Sequence, residues 1–596
     1  MPNRLETTTV QESLKSNLCE LCFLDRARTD STLHTFSRTI EARPHTPVYK
    51  MHKYFARRPW NVFSELISHY SSEGDIILDP FLGGGVTVIE SLRLKRKAVG
   101  VDLNPLATFI TTMESSPLDI DRFRKSKEVV SRTVKDEILS FYVTRCPECG
   151  SNAHADWIEW HDRDRKIIRM KFDCIECGVS GIKKPSREDI ALAERIDEEF
   201  DGAVQQRKLW FPQTEVPSGD KTSSLLGKGI TRFDQLFTRR NLLALAILFR
   251  EMNQADPAER DFLRFTFSSC LKWCSRQSHL RGKIVEGWAM HAYWIYSESL
   301  ELNVWNTFER RFEAVIRGKK YSNEEIGSFH KLAHEFDDLT GDASCLLLNV
   351  SSSELPLPAN SIDSIITDPP YGANVNYGEL SDFWWIWLNN GHTIDKADEA
   401  VINRTQRKSL LEYEAILTSI FKECFRVLKP GRHLVSTFNS KNIRVVSSFI
   451  AAVSRAGFGV RSDGIYYQKP IKAYTTTFHA MQVGAFVGDF VFVFTKSDGT
   501  LRDNIGTEIA DLANFKHELN QVISEGLRSK MTDSQLREIA YRQLIPYIAT
   551  HTSTPEDSRQ ATDFFESRML ECSKHFENRR KAIIESRRRV FKNRRK

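Results

Sequence analysis

Nowhere does this 596-residue chain approach the ~18 consecutive apolar residues that a membrane-spanning helix requires. Its two longest apolar stretches, 242–249 and 483–494, are too short, and Asp489 breaks the second. The opening residues Met1-Pro2-Asn3-Arg4-Leu5-Glu6 carry no apolar signal core, so a cytoplasmic protein without membrane contact is expected. Net charge is also scarce: 84 Lys and Arg stand against 78 Asp and Glu, a balance of +6. The excess collects at one end, in Arg579-Arg580-Lys581, Arg587-Arg588-Arg589 and Arg594-Arg595-Lys596. Such a run can bind phosphates by releasing counterions or can be the solvated face of a helix, and both readings stay open. Cysteine is too sparse for a disulfide framework. There are eleven, six of them in Cys-x-x-Cys pairs, which is the spacing of metal ligation.

What is present is an α/β rhythm in two separated blocks, within a length that suits three or four compact units. The first block opens with the basic-aromatic turn Lys53-Tyr54-Phe55-Ala56-Arg57-Arg58-Pro59, where Pro59 is placed to start a helix. Phe63, Leu66, Ile67 and Tyr70 follow at helical spacing. Ile76-Ile77-Leu78-Asp79-Pro80-Phe81 reads as a strand, Gly83-Gly84-Gly85 as a turn and 86–94 as a helix. Ala98-Val99-Gly100-Val101-Asp102 is then a second strand ending in an acid. A strand, a glycine turn, a helix and a carboxylate about 20 residues on follow the logic of nucleotide-binding folds. The turn lacks the G-x-G-x-x-G pattern, which argues against a dinucleotide.

Residues 116–335 interrupt that rhythm and read as an insertion. It contains Cys146-Pro147-Glu148-Cys149-Gly150 and Cys174-Ile175-Glu176-Cys177-Gly178. Four thiolates satisfy tetrahedral zinc, and a glycine after each pair permits the tight turn beneath the ligands. The expectation is a structural zinc ribbon over about 143–182, with Cys146, Cys149, Cys174 and Cys177 as ligands and no open position for catalysis. A single further pair, Cys19 and Cys22, is a weak signal. After a polar linker at 212–224, basic residues Arg276, Arg281 and Lys283 mix with Trp288, Tyr293 and Trp294. That mixture suits a nucleic-acid surface and equally an ordinary amphipathic helix.

The second block begins at Thr340-Gly341-Asp342-Ala343 and reaches Ser364-Ile365-Ile366-Thr367-Asp368-Pro369-Pro370-Tyr371. Neither proline can continue a ladder, so a rigid turn stands at a strand's C-terminal end. An amphipathic helix at 409–428 and strands at 433–438, 465–468 and 489–495 complete the block. Residues 501–596 are charged and helical in pattern.

Asp79-Pro80-Phe81-x-Gly83-Gly84-Gly85-x-Thr87 resembles the cofactor motif of S-adenosylmethionine-dependent amino-methyltransferases, and Asp368-Pro369-Pro370-Tyr371 resembles their catalytic loop. Together with 53–59, Asp102-Leu103-Asn104-Pro105, the zinc knuckles and the stretches 236–245 and 368–388, the chain is similar to adenine-specific DNA methylases that carry an inserted zinc ribbon. The resemblance spans roughly 50–500. It implies a Rossmann-like class I methyltransferase sheet, split into a cofactor part at 49–115 and a catalytic part at 336–500. A 1–48 arm and a 501–596 tail flank them. It implies cofactor contacts at Lys53, Tyr54, Asp79, Pro80, Phe81, Gly83, Gly85, Thr87, Asp102, Asn104, Asp342 and Ala343. Asp102 would meet the ribose, Asp79 the ammonium and Asp342 the adenine of S-adenosylmethionine. Asp368 and the Pro369 carbonyl, held by Pro370, would accept the two hydrogens of a target amino group. Tyr371 would stack on a base flipped from double-stranded DNA.

The implied activity is transfer to adenine N6, in a restriction-modification or phage-defence system with partner subunits. No Pro-Cys dipeptide occurs, which excludes cytosine C5 chemistry through a cysteine nucleophile. Asp-Pro-Pro-Tyr followed by Gly372 also fits an RNA guanine-N2 methyltransferase. A non-catalytic DNA-binding subunit on the same scaffold is the third reading.

Overall fold

The computed structural model describes residues 40–440, 442–468, 489–497, 511–529, 531, 533–551 and 555–593. Cys19 and Cys22, most of the N-terminal arm and the last basic triplet, 594–596, lie outside the described residues.

A seven-stranded sheet organises the molecule. In chain order its strands are β1 (Ile76–Asp79) and β2 (Lys97–Val101), then, beyond the insertion, β10 (Cys345–Leu348), β11 (Ser364–Thr367), β12 (His433–Phe438), β13 (Gly459–Gln468) and β14 (Asp489–Thr495). The spatial order is β10-β2-β1-β11-β12-β14-β13. The first five run parallel, and β14 and β13 join antiparallel at one side. The sequence expects a short strand at 465–468. The structure extends it back to Gly459, with a register break between Val460 and Ile465. β1 and β11 are almost wholly buried, as parallel strands covered on both faces must be, which is why their sequences are continuous apolar runs rather than alternating ones.

The chain leaves β1 in one direction, through β2 to β10, and then returns to β11 and β12 on the other side. The point of reversal lies between β1 and β11. Open α/β sheets bind ligands at the carboxyl ends of strands at such a point.

Helices α1 (Trp60–Tyr70), α2 (Val86–Arg93) and α3 (Pro105–Ser115) belong to the first block. Gly85 starts α2 at φ +73°, and a Cβ there would lie 2.4 Å from Thr111 Oγ1, so only glycine fits. In the second block the expected helix at 409–428 is observed as Leu410–Val427, with a reciprocal Ser409–Glu412 cap. Three helices between Leu512 and Asn593 are more than a tail. Phe515, Leu519, Ile523, Leu544, Ile548 and Phe565 are buried in the same core as Phe438, Phe449 and Phe492 of the sheet layer.

The insertion builds its own antiparallel sheet. β3 (Val143–Arg145), β4 (Asn152–His161), β5 (Lys166–Asp173) and β6 (Ser180–Lys183) pair in sequence order, and β9 (Glu298–Leu302) pairs with β4. β3 takes residues 152–154 of β4 and β9 takes 157–161. A two-stranded ribbon, β7 (His279–Arg281) and β8 (Ile284–Glu286), packs Leu280 and Val285 against Trp157, Leu300 and Leu302 of it. The expected polar linker at 212–224 is anchored: Thr214 Oγ1 donates to the Gly391 carbonyl at 2.6 Å and Lys221 N donates to Glu379 at 2.8 Å. Among the described residues, no helix is long and apolar enough to cross a membrane.

Candidate active site

A partly open cavity lies at the carboxyl ends of β1, β2 and β11. Its wall takes Tyr54, Asp79, Pro80, Phe81, Gly83 and Thr87 from the first block, Asp102 and Asn104 from the end of β2, and Asp368 and Pro370 from the turn after β11. Two segments nearly three hundred residues apart therefore form one site.

Each acid is held differently. The register that sets Leu78 opposite Ile365 brings Asp79 beside Thr367, whose hydroxyl donates to it at 2.6 Å. Phe81 N also donates to Asp79, at 3.1 Å, and burial pushes this carboxyl up to about 6. Asp102 accepts from Gly83 N and from Asn104 N, both at 2.8 Å, and burial pushes it up to about 7. These bonds tie the glycine turn to the end of β2 and leave each carboxylate with spare acceptor capacity. Asn104 is fully spent on structure. Its Oδ1 accepts from Leu106 N at the start of α3, and its Nδ2 donates to the Tyr54 and Ser381 hydroxyls.

Asp368 sits among side chains. Oδ2 accepts from Arg58 Nε at 2.6 Å, and Oδ1 accepts from the Thr437 hydroxyl at 2.6 Å and from the Tyr371 hydroxyl. Arg58 also bonds Asp489 at 3.0 Å and the Tyr371 hydroxyl, and its guanidinium lies 5.0 Å from the Tyr371 ring centroid. Tyr371 packs on Phe438 at 4.7 Å, and the Tyr413 hydroxyl donates to the Pro370 carbonyl at 2.6 Å. Pro369 and Tyr371 do not line this cavity themselves.

Other expected contacts fall elsewhere. Lys53 is exposed and does not line the cavity, and Gly85 serves the start of α2. Asp342 is 84% exposed and pairs with Lys331, while Ala343 is buried in the core. The reason is direction. Asp342 precedes β10 and so sits at the amino edge of the sheet, opposite the cavity. The residues after β10 that do reach the cavity are Ser351 and Ser352, and Ser352 donates to the Pro80 carbonyl at 2.6 Å. Sequence reasoning missed both, as it missed Arg58, Thr437, Asp489, Asp398 and Glu399. The signal for the serines was available: they follow a strand. With Asp79, Asp102, Asp368, Asp395, Asp398 and Glu399 against Arg57 and Arg58, acids outnumber cations in the wall, which suits a cationic ligand.

The four cysteines of the insertion come together. All four Sγ atoms lie within 4.8 Å of one another, with Cys146–Cys177 at 3.7 Å and Cys149–Cys174 at 3.6 Å. Zn–S bonds of about 2.3 Å in a tetrahedron give an S–S edge of about 3.8 Å, so the set fits zinc. The two knuckles are built alike: Gly150 N returns to the Cys146 carbonyl and Gly178 N to the Cys174 carbonyl, both at 3.0 Å.

Residues 8–111 match a family described as DNA methylase, of the N6/N4 type. A protein of Methanocaldococcus jannaschii described as Type II methyltransferase M.MjaII is 30% identical over 424 residues, which cover 65% of this chain and 69% of that one.

Proposed function

The chain belongs to the N6/N4 DNA methylase family, and from that premise we propose that it methylates adenine N6 in double-stranded DNA with S-adenosylmethionine, as the modification enzyme of a type II restriction system. The observation that carries this reading is the position of Asp368. An acid at the end of β11 shares one cavity with Asp79 and Asp102, which hang from the glycine-turn block.

The bound cofactor supplies an electrophilic methyl group on a sulfonium. Asp102, at the end of β2, would hold its ribose hydroxyls, and Asp79 its ammonium. The exocyclic nitrogen of adenine is a weak nucleophile because its lone pair is delocalised into the ring. Asp368 accepts one amino hydrogen and the Pro369 carbonyl the other, which lets the nitrogen pyramidalise and turn its lone pair toward the methyl group. As the nitrogen–carbon bond formed, the sulfur–carbon bond would break to leave a neutral thioether, and the proton then shed by the nitrogen would pass to water. No residue of the chain is covalently modified. Arg58 lies over the Tyr371 ring and Phe438 packs against it, so the ring is not assigned to stacking with the base and its hydroxyl is left holding Asp368.

The insertion, 116–335, is assigned to target recognition. Lys283 and Arg281 are exposed at the β7–β8 turn beside the exposed Ile284, Arg281 reaching Glu286 at 3.4 Å across the surface, whereas Arg276 is largely buried and tied to Asp162 at 2.6 Å. Phosphate contact is therefore assigned to Arg281 and Lys283 and withdrawn from Arg276. The four cysteines hold one structural zinc per chain, which metal analysis tests. A zinc content unchanged in Cys149→Ser/Cys177→Ser would overturn that assignment.

The function is tested by incubating the protein with methyl-labelled S-adenosylmethionine and unmethylated DNA or RNA, followed by nucleoside analysis. N6-methyladenine in DNA is expected, confined to one short recurring sequence. Label in N4-methylcytosine would overturn the adenine assignment, label in guanosine of RNA would favour the RNA reading, and no label would leave only a DNA-binding scaffold.

A further inference from the structure

A carboxylate that must receive an amino hydrogen needs one acceptor position open and a fixed orientation. Asp368 has two oxygens with about four lone-pair sites. Thr437 and Tyr371 take both sites of Oδ1, and Arg58 takes one of Oδ2. One site remains, on Oδ2. Of the three donors, Arg58 alone lines the cavity with Asp368. The open site is thus on the oxygen that shares the cavity wall with Arg58.

Arg58 is itself fixed at several points. Nε is on Asp368, Nη1 is on Asp489 Oδ1, Nη2 meets the Tyr371 hydroxyl, and the guanidinium lies over the Tyr371 ring. Asp489 reaches this corner because β14 runs antiparallel. Its first residues lie beside the last residues of β12, with Phe490 opposite Phe438. A planar guanidinium with several N–H donors in a rigid fork can hold two carboxylates in set directions, which a lysine ammonium does less well.

We propose that Arg58, backed by Asp489, is the positioning residue for Asp368: it fixes the carboxylate so that one Oδ2 acceptor site faces the target amino group. The proposal rests on the reading of Asp368 as the acid that meets that group.

The charges around the corner decide how it can be tested. Asp368 faces Arg58, Asp489 and Tyr371, with Asp79 and Tyr377 also close enough to act on it. Burial pushes the Asp489 carboxyl upward, and Asp368 adds to that push while Arg58 opposes it. Without the guanidinium the two acids confront each other with no cation between them. A proton shared by such a pair is held to higher pH, and the apparent value belongs to the pair.

The experiment measures kcat and KM for methyl transfer to unmethylated bacterial DNA across roughly pH 5.5–9, which brackets the acid limb of the profile. Cofactor affinity and thermal midpoint are followed in parallel. Arg58→Gln should lower kcat at neutral pH by about tenfold or more and move the acid limb upward, with cofactor affinity retained. Arg58→Lys should recover part of the rate, and Arg58→Gln/Asp489→Asn should bring the acid limb back down. Asp489→Asn alone should move the limb to lower pH, which keeps the idea testable should Arg58→Gln fail to fold. An unmoved limb in Arg58→Gln, or a double variant no better than the single one, would overturn the proposal. A wild-type protein that binds cofactor but transfers no methyl group would instead overturn the proposed function.

Discussion

Asp102 and Asp368 end strands that flank β1 on its two sides, yet they are held by opposite means. Asp102 rests on two backbone N–H groups, from Gly83 and Asn104, both within twenty residues of it. Asp368 rests on three side chains, one of them 310 residues away. Backbone donors come with the local turn and tolerate many side chains. Side-chain donors must each be supplied by the right residue at the right place. The Asp102 corner is therefore local, and the Asp368 corner is adjustable and assembled from afar.

The sharpest way to separate the two corners is Asp368→Ala. It should reduce methyl transfer by at least about 100-fold, the scale of losing one polar group placed at a transition state, with cofactor binding by calorimetry nearly unchanged. If cofactor affinity fell with it, the two corners would be one unit and the contrast would fail. Asp102→Asn should do the reverse at smaller size. A carboxamide presents an N–H where the carboxylate accepts one. The loss of a charge-assisted bond, about 1.5–3 kcal/mol, should weaken cofactor binding by roughly ten- to hundredfold, with kcat at saturating cofactor changed less.

The smallest effect is on stability against pH. The ordinary carboxyl value is 3.8, and in the folded chain Asp79 and Asp102 stand at about 6 and about 7. A raised acid favours the folded state below its unfolded value and loses that contribution as pH climbs through the folded one. The ligand-free protein should thus lose thermal stability between about pH 4 and 7 from these two groups, and Asp79→Asn/Asp102→Asn should flatten that slope. A slope unchanged in the double variant would assign the effect elsewhere.

The same contrast explains what could be read from sequence. The strand, glycine turn, helix and acid of the first block are contiguous, and their spacing announces them. The turn at Asp368 is legible because two prolines end a buried strand. The four cysteines declare a common site through the pairing of each Cys-x-x-Cys with a glycine. Arg58 lies in the marked turn 53–59 but nothing there ties it to Asp368, and Thr437 carries no mark; Asp489 reads only as a break in an apolar run, and only the antiparallel return of β14 brings it to Arg58. Asp342 shows the converse. Its spacing before Asp368 is suitable, but spacing along the chain does not say at which edge of the sheet a residue stands. The anchored segment at 212–224 likewise has a linker's composition, and its attachment to Glu379 and Gly391 is visible only in three dimensions.

The pairing of β1 with β11 also sets a clock. Asp79 and Thr367, joined across that pair, are 288 residues apart. At about 5–20 residues per second, a ribosome needs roughly 15–60 s to make the intervening chain. β2 can join β1 almost at once, but the other edge of β1 has no partner until the whole insertion has been synthesised. During that interval an apolar strand edge next to the glycine turn is open to any strand that meets it. An insertion whose strands β3–β6 can pair with one another early, before β9 closes on β4, keeps those strands from being that intruder.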